Sequence, residues 1–162
     1  MESNCANMLQ KLDIVILQHT GKPGGGPHYD LRIQVPGDKN LFYSWALKYK
    51  PPKPLEIEEH GGRIIAIQTA LHKRDAAYYT GPYKESNLKI YYKGRIGVIK
   101  ERLNRGNKGG KHFIVFFFLD GPFKNQKWIL YELDKIKHIW TLFRGKDIIE
   151  QLHRVLDDIL EI

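Results

Sequence analysis

The run His28-Tyr29-Asp30-Leu31-Arg32 sets an imidazole, a carboxylate and a guanidinium at alternate positions. Around it apolar residues (Tyr29, Leu31, Ile33, Val35) alternate with polar ones (His28, Asp30, Arg32, Gln34). Successive side chains of a β-strand point to opposite faces. The spacing therefore predicts a strand with one apolar face and one face on which the three functional groups stand roughly 7 Å apart, one from the next. Two metal ligands followed by a phosphate-binding arginine would have this form.

His19 extends the set. It ends an apolar run over 12–19, a glycine-rich loop over 21–27 follows, and His28 opens the next run. Antiparallel pairing of the two runs would put His19 across from His28 or Asp30, at one end of a barrel. Mixed nitrogen and oxygen ligands without a thiolate suit Mn²⁺, Fe²⁺ or Zn²⁺. The plainer alternatives are a bystander histidine and an Arg32–Asp30 ion pair. Bidentate recognition of a phosphate is the functional role for Arg32.

Further candidates follow. In Ser44-Trp45-Ala46-Leu47-Lys48-Tyr49-Lys50, Ser44, Ala46 and Lys48 share a face, and a lysine just past a strand end can lean over a barrel mouth toward a phosphate. The run over 63–71 leads into His72, which could protonate a leaving oxygen or hold a phosphate. The basic stretch over 104–111 could touch a nucleic-acid backbone, but lacks the Gly-Lys-Ser/Thr ending of a P-loop.

These residues need elements to carry them. Runs rich in Ile, Val, Phe, Tyr and Trp cover 12–19, 28–35, 41–48, 63–71, 87–93, 95–101, 112–119 and 127–133. Turn residues separate many of them, among them Pro36-Gly37-Asp38 and Lys93-Gly94. A short helix is expected over 2–11. From about residue 146 to 161, Ile148, Ile149, Leu152, Val155, Leu156, Ile159 and Leu160 repeat at helical spacing. The expected fold is mainly β: a compact, closed or nearly closed barrel of about eight strands over 12–143, flanked by a C-terminal helix, with residues 1–162 forming one domain.

The 162 residues, 42% of them apolar, allow a substantial core. The net charge of +8 favours an anionic partner, nucleic acid before membrane. Cys5 is the only cysteine, so neither an internal disulfide nor a zinc–cysteine cluster can form. No apolar run is long enough to span a bilayer, and the N-terminus lacks the features of a signal peptide. A cytoplasmic monomer is the expectation.

The same motifs resemble the 3′-phosphoesterase domain of bacterial and archaeal DNA ligase D, an enzyme of DNA repair by non-homologous end joining. The resemblance rests on Gln18-His19, His28-Tyr29-Asp30-Leu31-Arg32-Ile33, Ser44-Trp45-Ala46-Leu47, Leu71-His72 with Asp75, Gly81-Pro82-Tyr83 and Trp128-Ile129-Leu130, in family order over roughly 12–133. It implies a manganese-dependent hydrolase of DNA or RNA–DNA 3′ ends. Such an enzyme removes a 3′-terminal ribonucleoside and then the 3′-phosphate, leaving a 3′-hydroxyl for a separate ligase or polymerase.

His19, His28 and Asp30 would be the metal ligands. Arg32 and His72 would engage the phosphate, with Lys48 or Lys50 assisting and Gln18 near the substrate. The chain departs from the family in several places. The loop before His28 is longer, Gln18 is adjacent to His19, and Ala70-Leu71 replaces an acidic pair. The family tyrosine falls on Ala76, with Tyr78 or Tyr79 as substitutes, and Glu132 stands where a basic residue is usual. The alternative expectation is a nucleic-acid-binding β-barrel without catalysis.

Overall fold

A computed structural model describes residues 9–21, 28–47, 63–83, 86–103 and 111–145. In chain order the elements are β1 (Gln10–Gly21), β2 (His28–Val35), β3 (Asp38–Leu47), β4 (Arg63–Lys73), α1 (Arg74–Ala77), β5 (Gly81–Tyr83), β6 (Ser86–Arg102), β7 (Phe113–Phe118), β8 (Lys127–Asp134) and β9 (Ile139–Arg144). The strands follow the order β1-β2-β3-β4-β9-β8-β7-β6, and β6 pairs back onto β1. Eight antiparallel strands thus close into a barrel with no free edge between them. The short β5 adds outside it, against the start of β6.

Every barrel strand sends alternate side chains inward, to a core that includes Ile14, Ile16, Leu31, Ile33, Trp45, Leu47, Ala66, Ile96, Phe116, Trp128, Leu130, Trp140 and Leu142. Eight strands enclose a space that side chains of this size can fill. A second, smaller cluster of Val15, Leu17 and Leu88 lies on the opposite face of the wall, with Tyr78 and Ile90 packed against it. This explains why β2 is buried along nearly its whole length on both faces. Its inner face meets the core, and its outer face lies under the segment that follows β4.

The barrel and its strand count agree with expectation, with local corrections. The runs over 87–93 and 95–101 are one strand of 17 residues. Gly94 makes no turn: a Cβ there would collide with the Tyr92 hydroxyl and the Asp120 carboxylate, so the position is set by close packing. Gly37 does turn the chain, with φ +84° between β2 and β3. β5, β9 and α1 were not expected. The helix expected over 2–11 lies outside the described residues except for its end, where Gln10 and Lys11 belong to β1. The C-terminal helix over 146–161 and the loops over 22–27 and 104–110 also lie outside them. Among the described residues, no helix is long and apolar enough to cross a membrane.

Candidate metal centre

The face of β2 opposite the core carries His28, Asp30 and Arg32, as strand alternation requires. β1 pairs with it so that His19 faces His28 and Leu17 faces Asp30. The two imidazole rings lie 4.7 Å apart between centroids. Asp30 sits between them, with Oδ1 3.1 Å from His28 Nε2 and Oδ2 3.4 Å from His19 Nδ1. One ligand atom from each of His19, His28 and Asp30 can be chosen so that all lie within 4.8 Å of one another, close enough to hold one metal ion.

The donor set fits such an ion. His19 Nδ1 is buried and has no hydrogen-bond partner, although a carboxylate oxygen faces it. Burial holds His19 below the ordinary imidazole pKa, and the nearby charge of His28 adds to this against the opposing pull of Asp30. Burial by itself would raise the Asp30 carboxyl; the hydrogen bond from His28 and the charges of His28, Arg32 and His19 outweigh it and keep the group ionised. A neutral imidazole lone pair and a charged carboxylate are the forms a metal requires.

The site is not at the barrel mouth. It lies on the outer wall, in a cavity of about 670 Å³ whose lining includes His19, His28, Asp30, Arg32, His72 and Tyr79. The roof is the segment from α1 to β5. Arg32 ties this roof down: Nη1 donates to both Ala76 O and Ala77 O at 3.0 Å, and Nε donates to Ser44 Oγ at 3.3 Å. Its Nη2 is turned toward Asp30, 3.8 Å from Oδ2. Arg32 is therefore more than an ion-pair partner of Asp30. Most of its donors hold protein, and one nitrogen faces the site.

His72 lines the cavity as expected. Burial, with the charge of Arg32, lowers its pKa. Gln18 does not join the group: as the neighbour of His19 it points to the other face, and it does not line the cavity. Lys48 and Lys50 lie outside the described residues. Of the two tyrosines considered as substitutes, Tyr79 lines the cavity, whereas Tyr78 packs edge-on against Phe42 and lines a separate cavity with Asp13, Arg74, Lys93 and Arg95. Glu132 is far from this chemistry. It is buried beside His112 and lines a third cavity with Tyr43 and Trp140.

Sequence reasoning missed Tyr83 and Ser86. Tyr83 lines the cavity, and its ring centroid is 6.2 Å from that of His19. Ser86 Oγ lies 2.6 Å from His19 Nε2. The motif Gly81-Pro82-Tyr83 was a weak signal for the first, and no local pattern marks the second. No protein-family profile matches the chain, and no curated protein matches it.

Proposed function

We propose that this protein is a metal-dependent 3′-end-healing phosphoesterase acting on DNA or RNA–DNA ends. The observation that carries the reading is the convergence of His19, His28 and Asp30 in one cavity with Arg32 and His72. The motif resemblance to the phosphoesterase domain of DNA ligase D supplies the reaction. The enzyme would remove a 3′-terminal ribonucleoside as a phosphodiesterase, and a 3′-phosphate as a phosphomonoesterase.

His19 Nδ1, His28 Nε2 and the Asp30 carboxylate would hold the ion, with manganese the favoured metal and other divalent transition metals as alternatives. When bound, it supplies Lewis acidity that offsets charge building on the phosphoryl oxygens. Arg32 Nη2 faces the place where those oxygens would sit, and its fixed guanidinium needs little reorganisation to meet them. The lowered pKa of His72 makes it neutral at pH 7, which favours donation of a ring N–H to the phosphate over delivery of a proton to the leaving oxygen. Lys48 or Lys50, just beyond β3, would assist.

The nucleic-acid partner is supported by the net charge of +8 and by Lys93 and Arg95, exposed residues that line a second cavity with Arg74 of α1, Arg95 lying 3.8 Å from Asp13 Oδ1. Such contacts would hold the backbone without reading sequence. A separate ligase or polymerase would use the healed end, in a cytoplasmic setting.

The test is a manganese-dependent assay on primers ending in a 3′-ribonucleotide or a 3′-phosphate. The wild type is expected to yield first a 3′-phosphate and then a 3′-hydroxyl, and His28→Ala neither. Identical products from both proteins would end the enzymatic reading. Metal-independent binding that is lost progressively with salt, without turnover, would favour a non-catalytic nucleic-acid-binding barrel.

A further inference from the structure

Ser86 opens β6, 67 residues from His19 in sequence, yet its hydroxyl touches the ligand histidine. The proton count of that hydroxyl decides what it does. Ser86 Oγ lies 2.8 Å from Tyr83 O, and a carbonyl can only accept, so the single hydroxyl proton goes to Tyr83. The 2.6 Å contact to His19 must then run the other way, with Nε2–H donating to Oγ. In a neutral imidazole the second nitrogen, Nδ1, is left with a bare lone pair. That is the buried nitrogen with no hydrogen-bond partner, and it faces Asp30 Oδ2 at 3.4 Å. Two acceptors pointed at each other in a buried place call for a cation between them, either a proton or a metal ion.

We infer that Ser86 is the positioning residue of the metal centre: accepting the Nε2–H of His19 fixes both the tautomer and the ring orientation that aim Nδ1 at the ion. The inference rests on the metal-site reading and adds a residue to it. Outer partners of ligand histidines commonly act in this way, and their loss weakens metal binding by about 10–100-fold. The arrangement also links the ligand to the roof. Tyr83, whose carbonyl takes the Ser86 proton, belongs to β5 and lines the same cavity.

The experiment compares wild type with Ser86→Thr and Ser86→Val, two β-branched residues of similar shape that differ in the hydroxyl. ¹⁵N imidazole NMR on the metal-free protein reads the tautomer directly, and Mn²⁺ titration by calorimetry reads affinity; neither requires turnover. The wild type and Ser86→Thr are expected to show His19 with its proton on Nε2. Ser86→Val should show a tautomer mixture and Mn²⁺ binding weakened about 10–100-fold. Thermal melts establish that each variant is folded, and Ser86→Ala serves if Ser86→Val is not.

A His19 proton on Nδ1 in the metal-free wild type would overturn the proposal. So would unchanged Mn²⁺ affinity in a folded variant without the hydroxyl. The metal reading fails differently: wild type and His28→Ala would then titrate alike, and the proposal would fall with it.

Discussion

Replacing Asp30 with asparagine removes one charge and keeps the side chain's shape. The lost carboxylate stands 3.1 Å from His28 Nε2, 3.4 Å from His19 Nδ1 and 3.8 Å from Arg32 Nη2. Arg32 is only 6% exposed, so water replaces the counter-charge poorly. Two unit charges at that separation attract by about 4 kcal/mol at an effective dielectric constant of roughly 20. Taking one partner from a buried pair costs about 3–5 kcal/mol. Arg32 keeps its bonds to Ser44, Ala76 and Ala77, so the lower end applies, about 3 kcal/mol.

In a domain of this size that lowers Tm by roughly 6–12 °C. The assay is thermal unfolding followed by circular dichroism, first with a chelator and then with Mn²⁺. A ligand at a hundred times its Kd stabilises the folded state by about 2.7 kcal/mol, so Mn²⁺ should raise the wild-type Tm and leave Asp30→Asn unmoved. The reasoning is refuted if the variant melts within about 2 °C of wild type in chelator. An equal upward shift with Mn²⁺ would refute it as well.

Three further outcomes are expected. Arg32→Met removes the donors to Ala76 O and Ala77 O, with a loss of about 3–6 kcal/mol since hydrogen bonds from a charged donor each contribute about 1.5–3 kcal/mol; hydrogen exchange should speed up at residues 76–79, and unchanged protection there would show that Arg32 does not hold the roof. The metal-free protein should lose stability on acidification in two windows. His19 and His72 titrate below the ordinary 6.5 in the folded state, so from 6.5 downward the unfolded chain binds protons first. Asp30 is depressed below 3.8, so its contribution, present above that value, is lost as pH falls through the folded pKa. Melting His72→Gln alongside wild type checks the first window, where a parallel profile would contradict the assignment. Gly97→Ala places a Cβ 2.6 Å from the Phe117 ring, and overpacking there should cost about 1–3 kcal/mol by chemical denaturation, whereas a neutral effect would mean the ring has room to move.

The local alternation of residues 28–35 determined by itself that His28, Asp30 and Arg32 share a face, because side-chain direction in a strand follows from backbone geometry alone. The spacing of apolar runs and turn residues likewise carried the barrel and, with the antiparallel pairing of β1 and β2, the meeting of His19 with His28. Gln18, expected near the substrate, lies on the other face from its neighbour His19 by the same alternation. What lay beyond the sequence was non-local. Gly94 reads as a turn until the Tyr92 and Asp120 side chains that crowd it are known.

The side of the barrel wall that bears the site depends on which face packs inward over all eight strands, a property of the closed sheet rather than of any one strand. The bonds from Arg32 to the α1 carbonyls join residues more than forty positions apart. Ser86 reaches His19 only because β6 closes the barrel onto β1, with His19 opposite Leu88 and Gly21 opposite Ser86. The sequence determined the candidate ligands of β2 through short-range periodicity. Their orientation, cover and supporting bonds were decided by chain closure, which brings together residues with no local pattern in common.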